Sequence, residues 1–180
     1  MKMVEVGMYE PAAATFADYD PRAPKIAQLL KQAIEQRESR LVVEHIGSSA
    51  VPGCRGKGIV DLAVTYTEGD LESAKAALDA LGFQKQSGRE PWPETRPMRV
   101  GAISAFDGNF RTHAHVIERN GPEHRELIAF RDALLRDPEL LSAYQKIKEQ
   151  IHASGITDSV DSSKAKGSII AGQVSSLTSL

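Results

Sequence analysis

Residues Glu44–Ala63 read EHIGSSAVPGCRGKGIVDLA, and this stretch decides the fold class. The β-branched run Leu41–Ile46 (LVVEHI) enters it, and a second run, Ile59–Tyr66 (IVDLAVTY), leaves it. Short runs of this kind bounded by Gly, Ser and Pro read as strands. Side chains alternate along a strand, so Ile59, Asp61, Ala63 and Thr65 share one face and Val60, Leu62, Val64 and Tyr66 the other. Gly47 between the runs lets a backbone approach a ligand closely, and Ser48 and Ser49 add hydroxyls. A helical turn starting there would favour an anion such as phosphate. The same residues also serve as an ordinary serine-capped turn. Asp61 is an acid in the middle of an apolar strand, costly to bury unless it is paired or binds a metal. It is read either as a Mg²⁺ ligand or as an acid hydrogen-bonded to backbone or to Lys57.

Working outward, helical spacing recurs on both sides. Pro24 can open a helix carrying Ile26, Leu29, Leu30, Ala33 and Ile34. Asp70 can cap one carrying Leu71, Ala74, Leu78 and Leu81, which Gly82 stops. Pro122 opens another with Leu127, Phe130 and Leu134. Asp137-Pro138 is a cap and first-turn proline ahead of Leu140, Tyr144, Ile147 and Ile151. A last helix is read from Asp158 through Val160, Ile170 and Val174. Two further strands, Met98–Phe106 and Arg111–Glu118 (RTHAHVIE), flank a hairpin turn at Asp107-Gly108-Asn109. The segment Gly88–Pro97, GREPWPETRP, holds three prolines and reads as a mobile or functional loop. The expected architecture is α/β (α+β), a small mixed sheet with flanking helices and a helical C-terminal third.

The chain has 180 residues, the length of one domain, expected to span 1–180. Lys and Arg total 22 against 24 Asp and Glu, a net charge of −2. Without a basic excess, sequence-independent nucleic-acid binding is not expected. One cysteine excludes a disulfide framework and a CxxC zinc site. No apolar run approaches the ~20 residues of a membrane span, and Met1–Tyr9 is not a signal peptide. A cytoplasmic protein is expected.

His113 and His115 share one face of their strand. Two imidazoles at this spacing can bind a transition metal, act as a base and its orienter, or hydrogen-bond across the sheet to Asp61 or Glu44. His45 lies on the opposite face from Glu44 and is expected to pack or cap. Lys57 and Lys166 are candidate phosphate contacts. Arg125 and Arg131 are read as helix-surface ion-pairing residues, with partners such as Glu126 and Asp132. Cys54 has Arg55 and Lys57 nearby, which would favour its thiolate.

These residues carry a resemblance. EHIGSSAVPGCRGKGIVDLA resembles the GrpB family signature EHxGSTAVPGxxxKPxIDxxV. HAHVIE resembles that family's HxHV strand, GPEHRELIAFRDALLRDPELLSAYQKIK its helical segment, and KAKGSII its C-terminal helix. Gly58 stands where the family has Pro and Ser49 where it has Thr. The family's Tyr-Asp-Pro-x-Trp pattern has two counterparts, Tyr9-Glu10-Pro11 and Tyr19-Asp20-Pro21, neither with the Trp. The resemblance implies a nucleotidyltransferase-like fold. It also implies a site for a nucleotide or phosphorylated small molecule with Mg²⁺ or another divalent cation. Gly47, Ser48, Ser49, Lys57 and Lys166 would then hold phosphate, and Asp61 and Glu44 the metal. His115, with His113, would orient an acceptor or act as base. Two-metal nucleotidyl transfer needs a second carboxylate at i+2 from the first, and that position is Ala63. The alternatives are a catalytically inert member that binds a ligand or partner and, third, a His-assisted metal-dependent hydrolase.

Overall fold

The computed structural model describes residues 4–12, 15–88 and 90–155. The expected helix from Asp158, and Lys166 with it, lie outside the described residues. In chain order the elements are α1 (Ala23–Arg37), β1 (Val42–Ile46), a three-residue 3₁₀ turn (Ser48–Ala50) and β2 (Ile59–Tyr66). There follow α2 (Leu71–Ala80), β3 (Gln84–Lys85), β4 (Met98–Ala105), β5 (Gly108–Glu118), α3 (Pro122–Arg136) and α4 (Pro138–Ala153). Among the described residues the fold is α+β: one mixed five-stranded sheet, in the order β1-β2-β5-β4-β3, with four helices. Of these strands β2 and β5 run parallel, with Asp61 opposite His113 and Ala63 opposite His115. The other pairs are antiparallel. Gly7 bridges Ala102, so the N-terminal segment extends the edge that β3 begins.

The two faces of the sheet differ, as the alternation in β2 requires. Val60, Leu62 and Val64 of β2 and Ala114 and Val116 of β5 join Ile26, Leu30 and Ile34 of α1 and Leu78 of α2 in the main core. Among the described residues the opposite face is covered only in part. Ile46, Ala63 and Ile117 pack against Leu127 and Ile128 of α3. Between α3 and α4 a second small cluster of Val51, Cys54 and Leu134 meets Phe130 and Tyr144. The remainder of this face carries Asp61, His113 and His115. Among the described residues no helix is long and apolar enough to cross a membrane.

Two local expectations need correction. The β4–β5 turn lies at Phe106-Asp107, with φ of 49° and 58°, so Gly108 already pairs with Ala105 and Asn109 with Ser104. Positive φ at both central residues is the two-residue hairpin geometry that matches strand twist, but Phe adopts it at a cost. Arg22 at the start of α1 offsets it, donating from Nη1 to the Phe106 carbonyl at 3.1 Å and stacking on Phe110 at 5.0 Å. Asp70 precedes α2 but its side chain does not cap it. The carboxylate instead takes Arg40 and the Thr67 hydroxyl, the latter at 2.7 Å. Asp137 does cap α4, accepting from the amides of Glu139 and Leu140 at 2.9 and 3.0 Å.

Candidate functional site

The uncovered half of the sheet floors a cleft of about 1140 Å³. Register places Asp61 of β2 and His113 of β5 side by side, with His115 one pleat further along the same face. Asp61 Oδ1 lies 3.5 Å from His113 Nδ1 and 3.7 Å from His115 Nε2. One potential ligand atom from each of the three residues falls within 4.8 Å of the others. The Asp61 side chain is 26 % exposed. Its desolvation raises the carboxyl, but His113 and His115 outweigh this and hold it well below the usual carboxylate range. The site therefore presents a fixed negative charge between two imidazoles.

Gly47 is what allows Asp61 to sit there. Its φ of 71° and ψ of −170° belong to backbone space essentially reserved for glycine. A Cβ at this position would lie 2.7 Å from Asp61 Oδ2. The turn that follows is a single 3₁₀ turn, too short for the dipole of a regular helix, so anion binding there falls to side chains. Its two serines have different roles. Ser49 Oγ lies 2.9 Å from His45 Nε2 and accepts from the Asp61 amide at 3.4 Å, tying β1 to β2. Burial pushes His45 down to about 4. Ser48 faces the cleft and accepts from Lys148 Nζ at 3.0 Å.

Lys148 was not among the candidates read from the sequence, nor was Tyr9. Lys148 reaches in from α4 with only 7 % exposure. Its ammonium meets the Arg55 carbonyl and lies 3.1 Å from Cys54 Sγ and 4.5 Å from the Tyr144 ring. Burial pushes Tyr144 up to about 12. The cationic neighbour of the buried Cys54 is thus Lys148. Arg55 turns away, to Asp18 and Glu149. The Tyr9 hydroxyl lies 3.0 Å from His113 Nε2. Lys57 lines the cleft, and its carbonyl accepts from Arg111 at 3.0 Å.

Glu44 does not join the cluster. It shares the Asp61 face, but it stands beside Ala63 and takes His124 Nε2 at 2.5 Å. The Asn120 amide donates to Nδ1 of the same ring, so the proton sits on Nε2 and Glu44 is engaged as its acceptor. Arg131 pairs with Asp132 as expected, and it also donates to the His45 carbonyl at 3.0 Å, fastening α3 to β1. Ala63, where a second metal-binding carboxylate would stand, is fully buried between Ile46 and Ile117.

Glu90, Pro91, Trp92 and Pro93 of the proline-rich loop line the cleft. Trp92 stands edge-on to His115 at 6.2 Å, and the Arg96 guanidinium lies 4.0 Å from the Trp92 ring. Arg96 also pairs with Glu123 and reaches His115 Nδ1 at 3.2 Å.

Comparison with known proteins agrees with this architecture. The family described as GrpB protein matches residues 13–174. Of the two Tyr-x-Pro counterparts only Tyr19-Asp20-Pro21, directly before α1, falls inside the match. It is nonetheless the outlying Tyr9 that touches His113. Gly58 has a φ of 68°, which the proline of the family pattern cannot adopt. The UPF0157 protein of Streptomyces coelicolor is 30 % identical over 92 % of this chain and 84 % of its own length. The UPF0157 protein of Vibrio cholerae is 34 % identical over 59 % of this chain, which spans about half (53 %) of that relative. Among solved structures, the conserved protein GrpB from Enterococcus faecalis superimposes with a TM-score of 0.60 at 21 % identity, over 88 % of this chain and 99 % of that one. Cid1 bound to the UTP analog UMPNPP gives 0.52 at 12 % identity, over 75 % of this chain and 42 % of that chain. These structural likenesses show a nucleotidyltransferase-like fold. With the family match covering nearly all of the sequence and the same fold in a GrpB structure, this chain belongs to the GrpB family.

Proposed function

We propose that the cleft binds a nucleotide or similar phosphorylated ligand together with one divalent cation. The observation that carries this is the convergence of Asp61, His113 and His115 within 4.8 Å, on the face of a nucleotidyltransferase-like sheet that the described helices leave open. The donor set suits a divalent cation. One carboxylate and two imidazoles favour an ion that accepts nitrogen, such as Zn²⁺ or Mn²⁺, more than Mg²⁺, which prefers oxygen. When bound, such an ion would neutralise charge on phosphate oxygens.

The chain's own residues divide the remaining work. Asp61 stays ionised across the physiological range, held so by its two imidazoles. Tyr9 orients His113. Ser48 and Lys148 would contact phosphate, with Lys57 on the cleft wall beside them. Gly47 keeps the carboxylate unobstructed. If nucleotidyl transfer occurs here, it proceeds without the paired acids of a two-metal strand, because Ala63 is walled in by apolar side chains. That packing favours a second reading, in which the protein binds the ligand without transferring it.

The test is thermal unfolding with nucleoside triphosphates, with and without Zn²⁺, Mn²⁺ or Mg²⁺. A ligand bound to the native state raises the midpoint by mass action. A cation-dependent shift in the wild type and its loss in Asp61→Asn are expected. An unshifted wild type in every combination overturns the proposal. Release of pyrophosphate with an added acceptor would separate transfer from binding.

A further inference from the structure

The chain holds a single tryptophan, Trp92, and it stands on the wall of this cleft. The residue remains 43 % exposed, although the loop around it is firmly held. Glu94 receives both terminal nitrogens of Arg99, at 3.0 and 3.1 Å. Arg99 is itself 1 % exposed and fixed on Asp79 of α2 at 2.7 Å. Arg96 is clamped to Glu123 of α3. The Trp92 amide donates to Gln86 at 3.0 Å. The ring is therefore presented by anchored neighbours on both sides of it in sequence. A large apolar surface fixed in contact with water is unfavourable until something flat covers it. Arg96 beneath the ring, at 4.0 Å from its centroid, adds a cationic partner to such a stack.

Position identifies the occupant. Trp92 touches His115 edge-on, and His115 touches Asp61. The aromatic surface is thus one side chain away from the carboxylate, the relation a base bears to the phosphates of its own nucleotide. We propose that Trp92 is the stacking platform for the base of a bound nucleotide, an inference that rests on the phosphate-ligand reading of Asp61, Ser48 and Lys148. Stacking accepts any π-face, so the platform selects for the presence of a base and leaves its identity to other contacts.

Because Trp92 is the sole tryptophan, its fluorescence reports the platform directly. The full chain is titrated with UTP, with ATP and with inorganic tripolyphosphate, in Mg²⁺ and separately in Zn²⁺, while calorimetry records affinity. Both nucleotides should change the Trp92 emission and bind roughly tenfold more tightly than tripolyphosphate, the scale of one stacked base. Trp92→Leu should lose that advantage and keep tripolyphosphate affinity, and Trp92→Phe should recover part of it. Equal affinities for nucleotides and tripolyphosphate, unchanged in Trp92→Leu, would overturn the platform and leave the phosphate site standing. Binding of none of the three would overturn both.

Discussion

Arg96 Nη1 lies 3.2 Å from Nδ1 of His115. A guanidinium has only donors, so this ring nitrogen must accept, and the imidazole proton then sits on Nε2, facing Asp61. A cation bound through Nε2 would need the proton on Nδ1, where Arg96 opposes it. His113 meets no such conflict, because its neighbour is the Tyr9 hydroxyl, which can donate or accept. Arg96→Met, which keeps a long apolar stem beneath Trp92, should therefore tighten Zn²⁺ binding about fivefold, the scale of one hydrogen bond. Weaker binding in calorimetry would show instead that Arg96 orients His115 for the metal.

Gly47→Ala should destabilise the protein and displace Asp61 together. The backbone strain alone is about 1–3 kcal/mol, and the new methyl would lie 2.7 Å from Asp61 Oδ2. A lowered urea midpoint with loss of the cation-dependent shift is expected. A variant with wild-type stability would mean that the turn relaxes freely and that Asp61 does not depend on it.

Stability should fall with pH below about 6.5 through His45. Burial holds its folded value down to about 4, from an ordinary 6.5. Between these values the unfolded chain takes up a proton that the folded chain refuses, so stability is present above the unfolded value and lost as pH falls toward the folded one. The full loss is on the order of 3 kcal/mol. His45→Gln keeps a polar contact for Ser49 and removes the titration. Its stability should have a shallower pH slope across this window by close to one proton, and an unchanged slope would assign the effect elsewhere.

Ala63→Asp should fail to rebuild a two-acid strand. The side chain would enter the contact between Ile46, Ile117 and α3, and an unpaired carboxylate there costs several kcal/mol (about 3 or more). A marked drop in melting temperature is expected. A stable variant with new Mg²⁺-dependent transfer activity would show that the cleft can take a second acid after all.

What the sequence made legible follows from periodicity. Alternation in Ile59–Tyr66 set Asp61 on the face opposite Val60 and Leu62, and the paired histidines in HAHV had to share one face whichever way the strand lay. Both statements are local. The parallel register that sets His113 beside Asp61 is not local, and neither is the reach of Lys148 across 100 residues to Ser48. Nothing in YQKIK shows that the Lys148 face of α4 packs over a turn. Glu44 shows the same limit. Face parity places it with Asp61, but its partner, His124, arrives from α3. The hairpin turns at Phe106-Asp107 although Asp-Gly-Asn is the stronger local turn signal, because the contact that permits Phe106 its positive φ comes from Arg22.

Lys148→Met distinguishes a ligand contact from a structural cation. The ammonium is buried against Ser48, Cys54 and the Arg55 carbonyl. Replacing this ammonium by an apolar chain of similar length removes its desolvation cost, which offsets the loss of its hydrogen bonds to the Arg55 carbonyl and Ser48. Ser48 Oγ faces the cleft and can turn to water. A lysine present for phosphate should therefore show unchanged or higher stability in the variant, with affinity for tripolyphosphate and nucleotides reduced at least tenfold, about the worth of one charge-assisted hydrogen bond. A lysine present to hold α4 over the Ser48 turn should show the reverse, a lower melting temperature with the affinity of the remaining folded protein intact. Melting in the absence of ligand, followed by calorimetry well below the midpoint, reads the two quantities separately. The second pattern would remove Lys148 from the proposed phosphate contacts and leave Ser48 and Lys57.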